Sequence, residues 1–225
     1  MWSTPNAVIR HVENCLVQIQ PGDRVCDVGC GDGRVILHWA ANYSSNLSKQ
    51  HLVRRLRALT PPEDTPRQDE EEKEVDATMM PSFVGIDIDE ERISQAVEGL
   101  KRALDEGKIH EKMSITFRCT NALDCSKLYS SCNVFFLYLI PRGLKLIKPL
   151  ILQQQPEKEK EEKDYSSSTK KPNIIKVLTY MSPFEDETPV RMEKIEVPHQ
   201  PGSHWPVYLY ELTRGNASLQ DQIIS

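Results

Sequence analysis

The fold is decided by one short stretch, Val25-Cys26-Asp27-Val28-Gly29-Cys30-Gly31-Asp32-Gly33-Arg34. Residues 24–28 are β-prone, and the glycines that follow allow the chain to turn tightly. Apolar residues within 35–40 then continue as a buried helix. This order of strand, glycine-rich loop and helix predicts the opening unit of an α/β domain.

Strand and helix patterns alternate along the rest of the chain. Helical patterns begin at Thr4, after Asp89 and at Leu144. Further β-prone runs occupy residues 83–87, 114–118, 133–139, 174–179, 192–197 and 207–212. The last two runs alternate in polarity, so we expect them to form a hairpin that completes a mostly parallel sheet in a three-layer α/β fold.

Two segments interrupt this pattern. Residues 42–82 hold a weakly amphipathic piece, several prolines and an acidic run, and residues 153–172 are mostly charged and of low complexity. Segments of this composition bury too little apolar surface to become ordered. We therefore predict a single domain over residues 1–215 with flexible insertions at 42–82 and 153–172, and a loose tail at 216–225.

The composition limits the classes of function. The 225 residues carry 28 Lys and Arg against 33 Asp and Glu, a formal net charge of -5, which argues against a polyanion binder steered by net charge. The longest apolar run, residues 134–140, is too short to cross a bilayer, so we expect no membrane segment. The six cysteines lack zinc-site spacing, and neither a secretory signal nor a mitochondrial presequence is evident. We expect reduced thiols, no metal, and an intracellular protein, cytoplasmic rather than mitochondrial.

Asp27 and the glycines after it indicate one kind of ligand. A dinucleotide fingerprint needs a glycine where this chain has Arg34, so the sequence disfavours pyrophosphate binding. Gly29 and Gly31 let the backbone approach an uncharged ribose and an amino-acid tail, and Asp27 can meet an ammonium group. S-adenosylmethionine has these parts.

Two polar residues at later strand ends support this interpretation. Asp87 follows the next strand, where its carboxylate could accept hydrogen bonds from both ribose hydroxyls. It lies 60 residues after Asp27, whereas the usual spacing is about 20, and an insertion at 42–82 accounts for the excess. Asn121 follows the third strand, where its amide oxygen could accept from the adenine amino group.

These residues resemble the class I, seven-stranded S-adenosylmethionine-dependent methyltransferases. Within that superfamily, segments 3–5, 27–34, 85–87 and 137–141 are similar to the family of the lysine methyltransferases of the mitochondrial ATP synthase c subunit and the adenine nucleotide translocase, which also has bacterial members. The resemblance implies a Rossmann-like three-layer sandwich with a mostly parallel seven-stranded sheet ending in an antiparallel hairpin. It implies S-adenosyl-L-methionine as the cofactor, held by Thr4, Asp27, Gly29, Cys30, Gly31, Asp87, Ile88, Asn121 and Ala122.

The resemblance also implies methyl transfer by in-line displacement, for which the protein supplies alignment and a dry pocket. A lysine acceptor must first lose a proton, which at neutral pH costs roughly 4 to 5 kcal/mol from a reference pKa near 10.4. An apolar wall of Leu137, Leu139 and Ile140 suits this step because desolvation lowers the pKa of an amine. Tyr138 adds a hydroxyl to that wall and is the candidate catalytic residue.

We therefore expect a monomeric protein-lysine N-methyltransferase. No (Asn/Asp)-Pro-Pro-(Tyr/Phe) sequence follows the fourth strand, which weighs against a nucleic-acid base as the acceptor. Two alternatives stay open: a methyltransferase acting on a small metabolite or RNA, and a catalytically inactive scaffold that binds the cofactor.

Three of the site residues also have a purely structural interpretation. Thr4 precedes Pro5 and can cap the helix that starts there. Asn121 can be a turn residue bonded to its own backbone, and Tyr138 can be a packed core aromatic. The sequence alone leaves both interpretations of each residue open.

Overall fold

The computed structural model describes residues 3–59, 80–153, 173–197 and 201–215, with the backbone alone at the end of the first range, 50–59. The strands in these ranges are β1 (Arg24–Val28), β2 (Ser82–Asp87), β3 (Ser114–Cys119), β4 (Val134–Leu137), β5 (Ile174–Tyr180), β6 (Arg191–Glu196) and β7 (His204–Thr213). They form a seven-stranded sheet in the order β3-β2-β1-β4-β5-β7-β6. β7 runs antiparallel to both of its neighbours, and every other pairing is parallel.

Helices cover both faces of this sheet. They are α1 (Asn6–His11), which continues as a π-helix at Val12–Val17, α2 (Arg34–Leu59), α3 (Glu90–Asp105), α4 (Ser126–Tyr129) and α5 (Pro141–Leu152). One apolar core joins the sheet to α1 and α2, and a second joins its other face to α4 and α5. The structure confirms the predicted α/β three-layer sandwich, mostly parallel and ending in an antiparallel hairpin. Among the described helices, none has the length and apolar character needed to cross a bilayer.

Neighbouring side chains on β4 show how one strand serves both cores. Phe136 meets Trp39 of α2 edge to face at 5.7 Å between ring centroids, whereas Phe135 meets Tyr129 of α4 at 5.9 Å. Successive side chains on a strand point to opposite faces. This alternation places Phe136 and Tyr138 on the α1 and α2 side, and Leu137 in the core of α4 and α5.

The position of β1 between β2 and β4 places Asp27 inside the sheet, near the carboxyl ends of its parallel strands. Asp27 is opposite Gly85 of β2 on one side and Phe136 of β4 on the other. From β1 the chain proceeds outward to β2 and β3, and β4 then pairs with the other side of β1. In open α/β sheets the crevice beyond such a reversal of strand order, at the carboxyl ends, is where ligands bind.

The segment 42–82, predicted as a flexible insertion, begins as helix, because α2 continues through residue 59. The stretch 42–59 contains no proline or glycine, so nothing in it stops the helix before Pro61. Ser44 is buried, and its Oγ accepts a hydrogen bond from the His110 backbone N–H at 2.9 Å, which fastens the helix to the loop before β3. Residues 60–79 and 154–172, and the tail at 216–225, lie outside the described residues, so their assignments stay predictions.

The loop after β1 is fixed to the end of β2. The backbone N–H groups of Gly29 and Cys30 both donate to the Ile86 carbonyl, at 2.8 and 2.9 Å. Gly33 then starts α2 with a φ of +73°, in the left-handed region that favours glycine. A Cβ at this position would lie 2.9 Å from the Cβ of Ala96 on α3, so α2 and α3 approach more closely than a side chain would allow.

Replacing Gly33 by Ala should destabilise the fold more than the same change at Gly22. Gly22 has a similar φ of +82° but has nothing within 4 Å of the added Cβ, so it measures the backbone strain alone. We expect Gly22→Ala to cost about 1 kcal/mol from the left-handed conformation. Gly33→Ala should cost about 1 to 3 kcal/mol more because of overpacking. Urea unfolding measures both, and equal losses would contradict the tight approach of α2 to α3.

Candidate functional site

A cleft opens at the carboxyl ends of β1 and β4. It brings together six of the residues predicted for the site: Thr4, Asp27, Gly29, Cys30, Gly31 and Tyr138. Six further residues line it: Ser3, Asp32, Arg34, Val35, Arg92 and Phe136. Four remote parts of the sequence therefore meet in this cleft: the segment before α1, the loop after β1, the first turn of α3 and the end of β4.

Thr4 does not cap the first helix, contrary to that structural interpretation. The N-cap residue is Pro5, which provides no side-chain hydrogen bond, and the helix begins at Asn6. Thr4 is therefore one residue too early to act as the cap. Its side chain is buried and lines the cleft beside Asp27.

Asp27 is the most unusual group in the cleft. It is 2% exposed, and its Oδ2 is buried without a hydrogen-bond partner among the described residues. Desolvation raises its pKa from 3.8 to about 8, and the nearby charges of Asp87 and Asp32 act in the same direction. An isolated buried carboxylate is costly unless a cation pairs with it. The cleft therefore suits a ligand that places an ammonium group against Asp27.

Asp87 lies behind the loop, outside the lining of the cleft. Its Oδ2 accepts from the Gly31 N–H at 2.8 Å, and its Oδ1 accepts from the Asp89 N–H at 3.0 Å. These bonds fix the loop and the start of α3. Each carboxylate oxygen has a second lone pair, so both could still accept from a ligand hydroxyl. The ribose role of Asp87 stays a prediction.

The residues predicted to hold adenine lie beyond the ends of β2 and β3. Ile88 is 74% exposed, which is unusual for an isoleucine directly after a buried strand. The Asn121 Oδ1 accepts from the Leu123 N–H at 3.1 Å, so Asn121 makes the turn interaction considered as its structural alternative. The Ala122 carbonyl accepts from the Tyr129 hydroxyl at 2.7 Å. None of the three lines the cleft, and their contact with adenine stays a prediction.

The wall of the cleft at the end of β4 is aromatic, which corrects the predicted apolar wall. Leu137 belongs to the opposite core because side chains alternate along β4, and Leu139 packs against that core as well. Ile140 lies beyond the end of β4 and is 70% exposed. Phe136 and Tyr138 form the wall instead.

Tyr138 has the features of both of its interpretations. Its ring packs against Tyr180 with the ring centroids 4.7 Å apart, as a core aromatic would. It is nevertheless partly exposed in the cleft, and its hydroxyl has no hydrogen-bond partner within the described part of the chain. Burial raises the pKa of Tyr138, so the hydroxyl stays protonated at neutral pH. It can therefore both donate and accept a hydrogen bond.

Asp32, Arg34 and Arg92 are charged residues of the cleft that sequence reasoning missed. The Arg34 Nε donates to both carboxylate oxygens of Asp32, at 2.9 and 3.1 Å, and these bonds hold the pKa of Asp32 below its usual value. Asp32 and Arg34 are both in the glycine-rich motif, so the sequence shows their charges. Their pairing, however, depends on the turn at Gly33. Arg92 lies on α3, and no local pattern indicates that it reaches the loop.

Asp27→Asn should stabilise the ligand-free protein at high pH. With its pKa near 8 in the fold and near 3.8 in the unfolded chain, Asp27 binds its proton more tightly when folded. Its contribution to stability therefore falls as pH rises from about 4 to 8 and stays low above that. We expect Asp27→Asn to gain about 1 to 3 kcal/mol over the wild type at pH 9, the usual cost of an unsatisfied buried group. The gain should shrink towards pH 5 in urea unfolding.

The exposed Asp105, at the end of α3, provides the control for that comparison. Asp105→Asn should change stability by less than about 0.5 kcal/mol at either pH, as for most surface substitutions. A gain for Asp27→Asn that is equal at pH 5 and pH 9 would show that burial does not hold its carboxyl in the protonated form.

Solved structures of two methyltransferases and of a decarboxylase have a similar fold. An RNA methyltransferase from Salinibacter ruber in complex with S-adenosyl-L-homocysteine is 18% identical over 93% of both chains, with a TM-score of 0.56. The rRNA methyltransferase aviRa from Streptomyces viridochromogenes is 8% identical over 94% of this chain and 86% of its own, with a TM-score of 0.52. A precorrin 8w decarboxylase from Methanobacterium thermoautotrophicum is 14% identical over 93% and 90%, with a TM-score of 0.51.

No protein-family model matches the sequence, and no curated protein matches it. At identities below 20% the similar structures establish the architecture and not the substrate. The architecture of this chain, with its sheet order and its cleft beyond β1 and β4, is the Rossmann-like methyltransferase fold.

Proposed function

We propose that this chain is an S-adenosyl-L-methionine-dependent methyltransferase whose acceptor is a protein lysine. The observation that carries the proposal is the buried, unpaired carboxylate of Asp27 in the cleft of a methyltransferase fold. The amino-acid end of S-adenosyl-L-methionine carries an ammonium group, which is the kind of partner that this carboxylate is missing. The S-adenosyl-L-homocysteine in the similar Salinibacter enzyme supports the same cofactor.

The residues around Asp27 give the cofactor a place along the edge of the sheet. Gly29 and Gly31 carry no side chain, so the backbone of the loop can lie directly against the ligand. Asp87 keeps one lone pair on each oxygen for the ribose hydroxyls. The exposed Ile88 offers an apolar surface at the next strand end, where an adenine ring could pack.

When bound, the cofactor supplies a methyl group activated by a positively charged sulfur. The chain's own contribution is to align an acceptor nitrogen with that group and to exclude water. Phe136 and Tyr138 desolvate the acceptor side, and this loss of water favours the neutral form of an entering lysine amine. The Tyr138 hydroxyl can accept a hydrogen bond from the N–H of that amine and so point its lone pair at the methyl group.

A methyltransferase acting on RNA is the second candidate. The similar structures from Salinibacter and Streptomyces are RNA and rRNA methyltransferases, which favours this reading. The formal charge of -5 and the sequence Leu139-Ile140-Pro141 after β4 favour a protein acceptor.

Transfer of a labelled methyl group distinguishes these acceptors. Purified protein, incubated with S-adenosyl-L-methionine labelled in its methyl group and a cell lysate, should label material that protease releases and nuclease does not. Hydrolysis of the labelled protein should then give methylated lysine. Asp27→Asn is the control and should reduce the label to background. Label lost to nuclease alone would replace the lysine proposal with the RNA candidate, and cofactor binding without any transfer would indicate an inactive scaffold.

Tyr138→Phe should impair turnover while leaving cofactor binding nearly unchanged. Loss of one hydrogen bond to the reacting amine should lower kcat about 10- to 100-fold, as for other hydrogen bonds to charged or polarised groups. Steady-state kinetics and calorimetric titration with S-adenosyl-L-homocysteine separate these two effects. Tyr208→Phe, on the other face of the sheet, is the matched control and should have normal turnover. Normal turnover in Tyr138→Phe would leave Tyr138 as a packing residue.

A further inference from the structure

The amino-acid end of the proposed cofactor carries a carboxylate as well as an ammonium group. Both are attached to one carbon, so pairing the ammonium with Asp27 places the carboxylate in the same cleft. Two other acids are close by, since Asp87 and Asp32 both raise the pKa of Asp27 through their charge. A further negative charge in these surroundings needs a cation or several hydrogen-bond donors.

Two arginines are the cations available. Among the described residues that line the cleft, Arg34 and Arg92 alone are positively charged. Arg34 already pairs with Asp32, because its Nε and one Nη nitrogen both donate hydrogen bonds to that carboxylate. Moving Arg34 to a ligand would leave Asp32, which is partly buried, without that partner.

Arg92 is held much less firmly. Its ion pair with Asp89 is 3.5 Å long from Nε to Oδ2, and the Asp89 side chain is 49% exposed. Salt bridges of this length at an exposed partner contribute little, so the guanidinium can turn to a ligand at small cost. The Asp89 carboxylate also accepts from the Arg92 backbone N–H at 3.2 Å, and that bond does not depend on the guanidinium.

The guanidinium of Arg92 already lies over the loop that would carry the ligand. Its Nη1 would be 3.2 Å from a Cβ built on Gly31. Arg92 lines the main cleft and also an adjoining polar cleft, formed with Ser3, Asp32, Arg34 and the first turns of α3. The Arg92 side chain therefore lies next to Gly31, where the loop has no side chain, and it lines both clefts.

We infer that Arg92 binds the carboxylate of the cofactor's amino-acid end, so that Asp27 and Arg92 hold its two charges within the same cleft. This inference rests on the proposed function. A guanidinium matches a carboxylate with two parallel N–H donors, which fixes the orientation of the amino-acid end as well as its charge. The sulfur that follows along the same chain of atoms is oriented as a result.

Decarboxylated S-adenosylmethionine tests the pairing, because it keeps the ammonium group and lacks the carboxylate. Calorimetric titration should show that the wild type binds S-adenosylmethionine about 10- to 100-fold more tightly than the decarboxylated form, as expected for a charged hydrogen-bonded pair. Arg92→Gln should weaken the binding of S-adenosylmethionine by a similar factor. It should change the affinity for the decarboxylated ligand by less than about threefold. Arg92→Lys keeps the charge but lacks the two parallel N–H donors, so it should cause an intermediate loss of affinity for S-adenosylmethionine.

The control is Arg102→Gln, an exposed arginine in the last turn of α3, which should bind both ligands as the wild type does. Thermal melting without ligand checks that each variant is folded. An unchanged affinity of Arg92→Gln for S-adenosylmethionine would overturn the inference, as would an equal weakening of both ligands. A wild type that binds neither ligand would instead remove the proposed function, and the inference with it.

Discussion

The organisation of this molecule depends on one carboxylate buried near the end of β1. Asp27 is surrounded on both sides by the strands β2 and β4, and its Oδ2 has no partner among the described residues. A group in this state lowers the stability of the ligand-free fold, and it is the reason for expecting a cation in the cleft. The surrounding loop, helices and aromatic wall can be understood as the means of admitting that cation and little water.

The shape of the cleft is set by hydrogen bonds from a different strand than the one that carries Asp27. The Ile86 carbonyl holds the N–H groups of Gly29 and Cys30, and the Asp87 carboxylate holds that of Gly31. Three backbone donors of the loop are therefore fixed by the end of β2. The loop is formed before any ligand arrives, which reduces the ordering cost of binding.

Local patterns in the sequence were sufficient for the sheet and for part of the site. The strands were predicted within a few residues, and the Asp89 side chain caps α3 as its position before the helix indicates, accepting from the Arg92 N–H. Failures arose where contacts remote in sequence decide the outcome. α2 continues beyond residue 42 because no helix-breaking residue intervenes and Ser44 is fastened to His110.

The geometry of the cleft was equally out of reach of local patterns. The position of Arg92 over Gly31 depends on how closely α3 packs against the loop, which the sequence of α3 does not encode by itself. The choice between Leu137 and its neighbour Phe136 as the wall needed the register of β4, because a shift of one residue exchanges the two faces.

The raised pKa of Asp27 links cofactor binding to the pH of the solvent. Near neutral pH the free cleft holds a proton on this carboxyl group, since its pKa is about 8. An arriving ammonium group pairs with the ionised form, so binding of such a ligand would release protons from this carboxyl group into the medium. Uptake would then be favoured by alkaline conditions, and the heat of association would differ between buffers according to how strongly each one takes up protons.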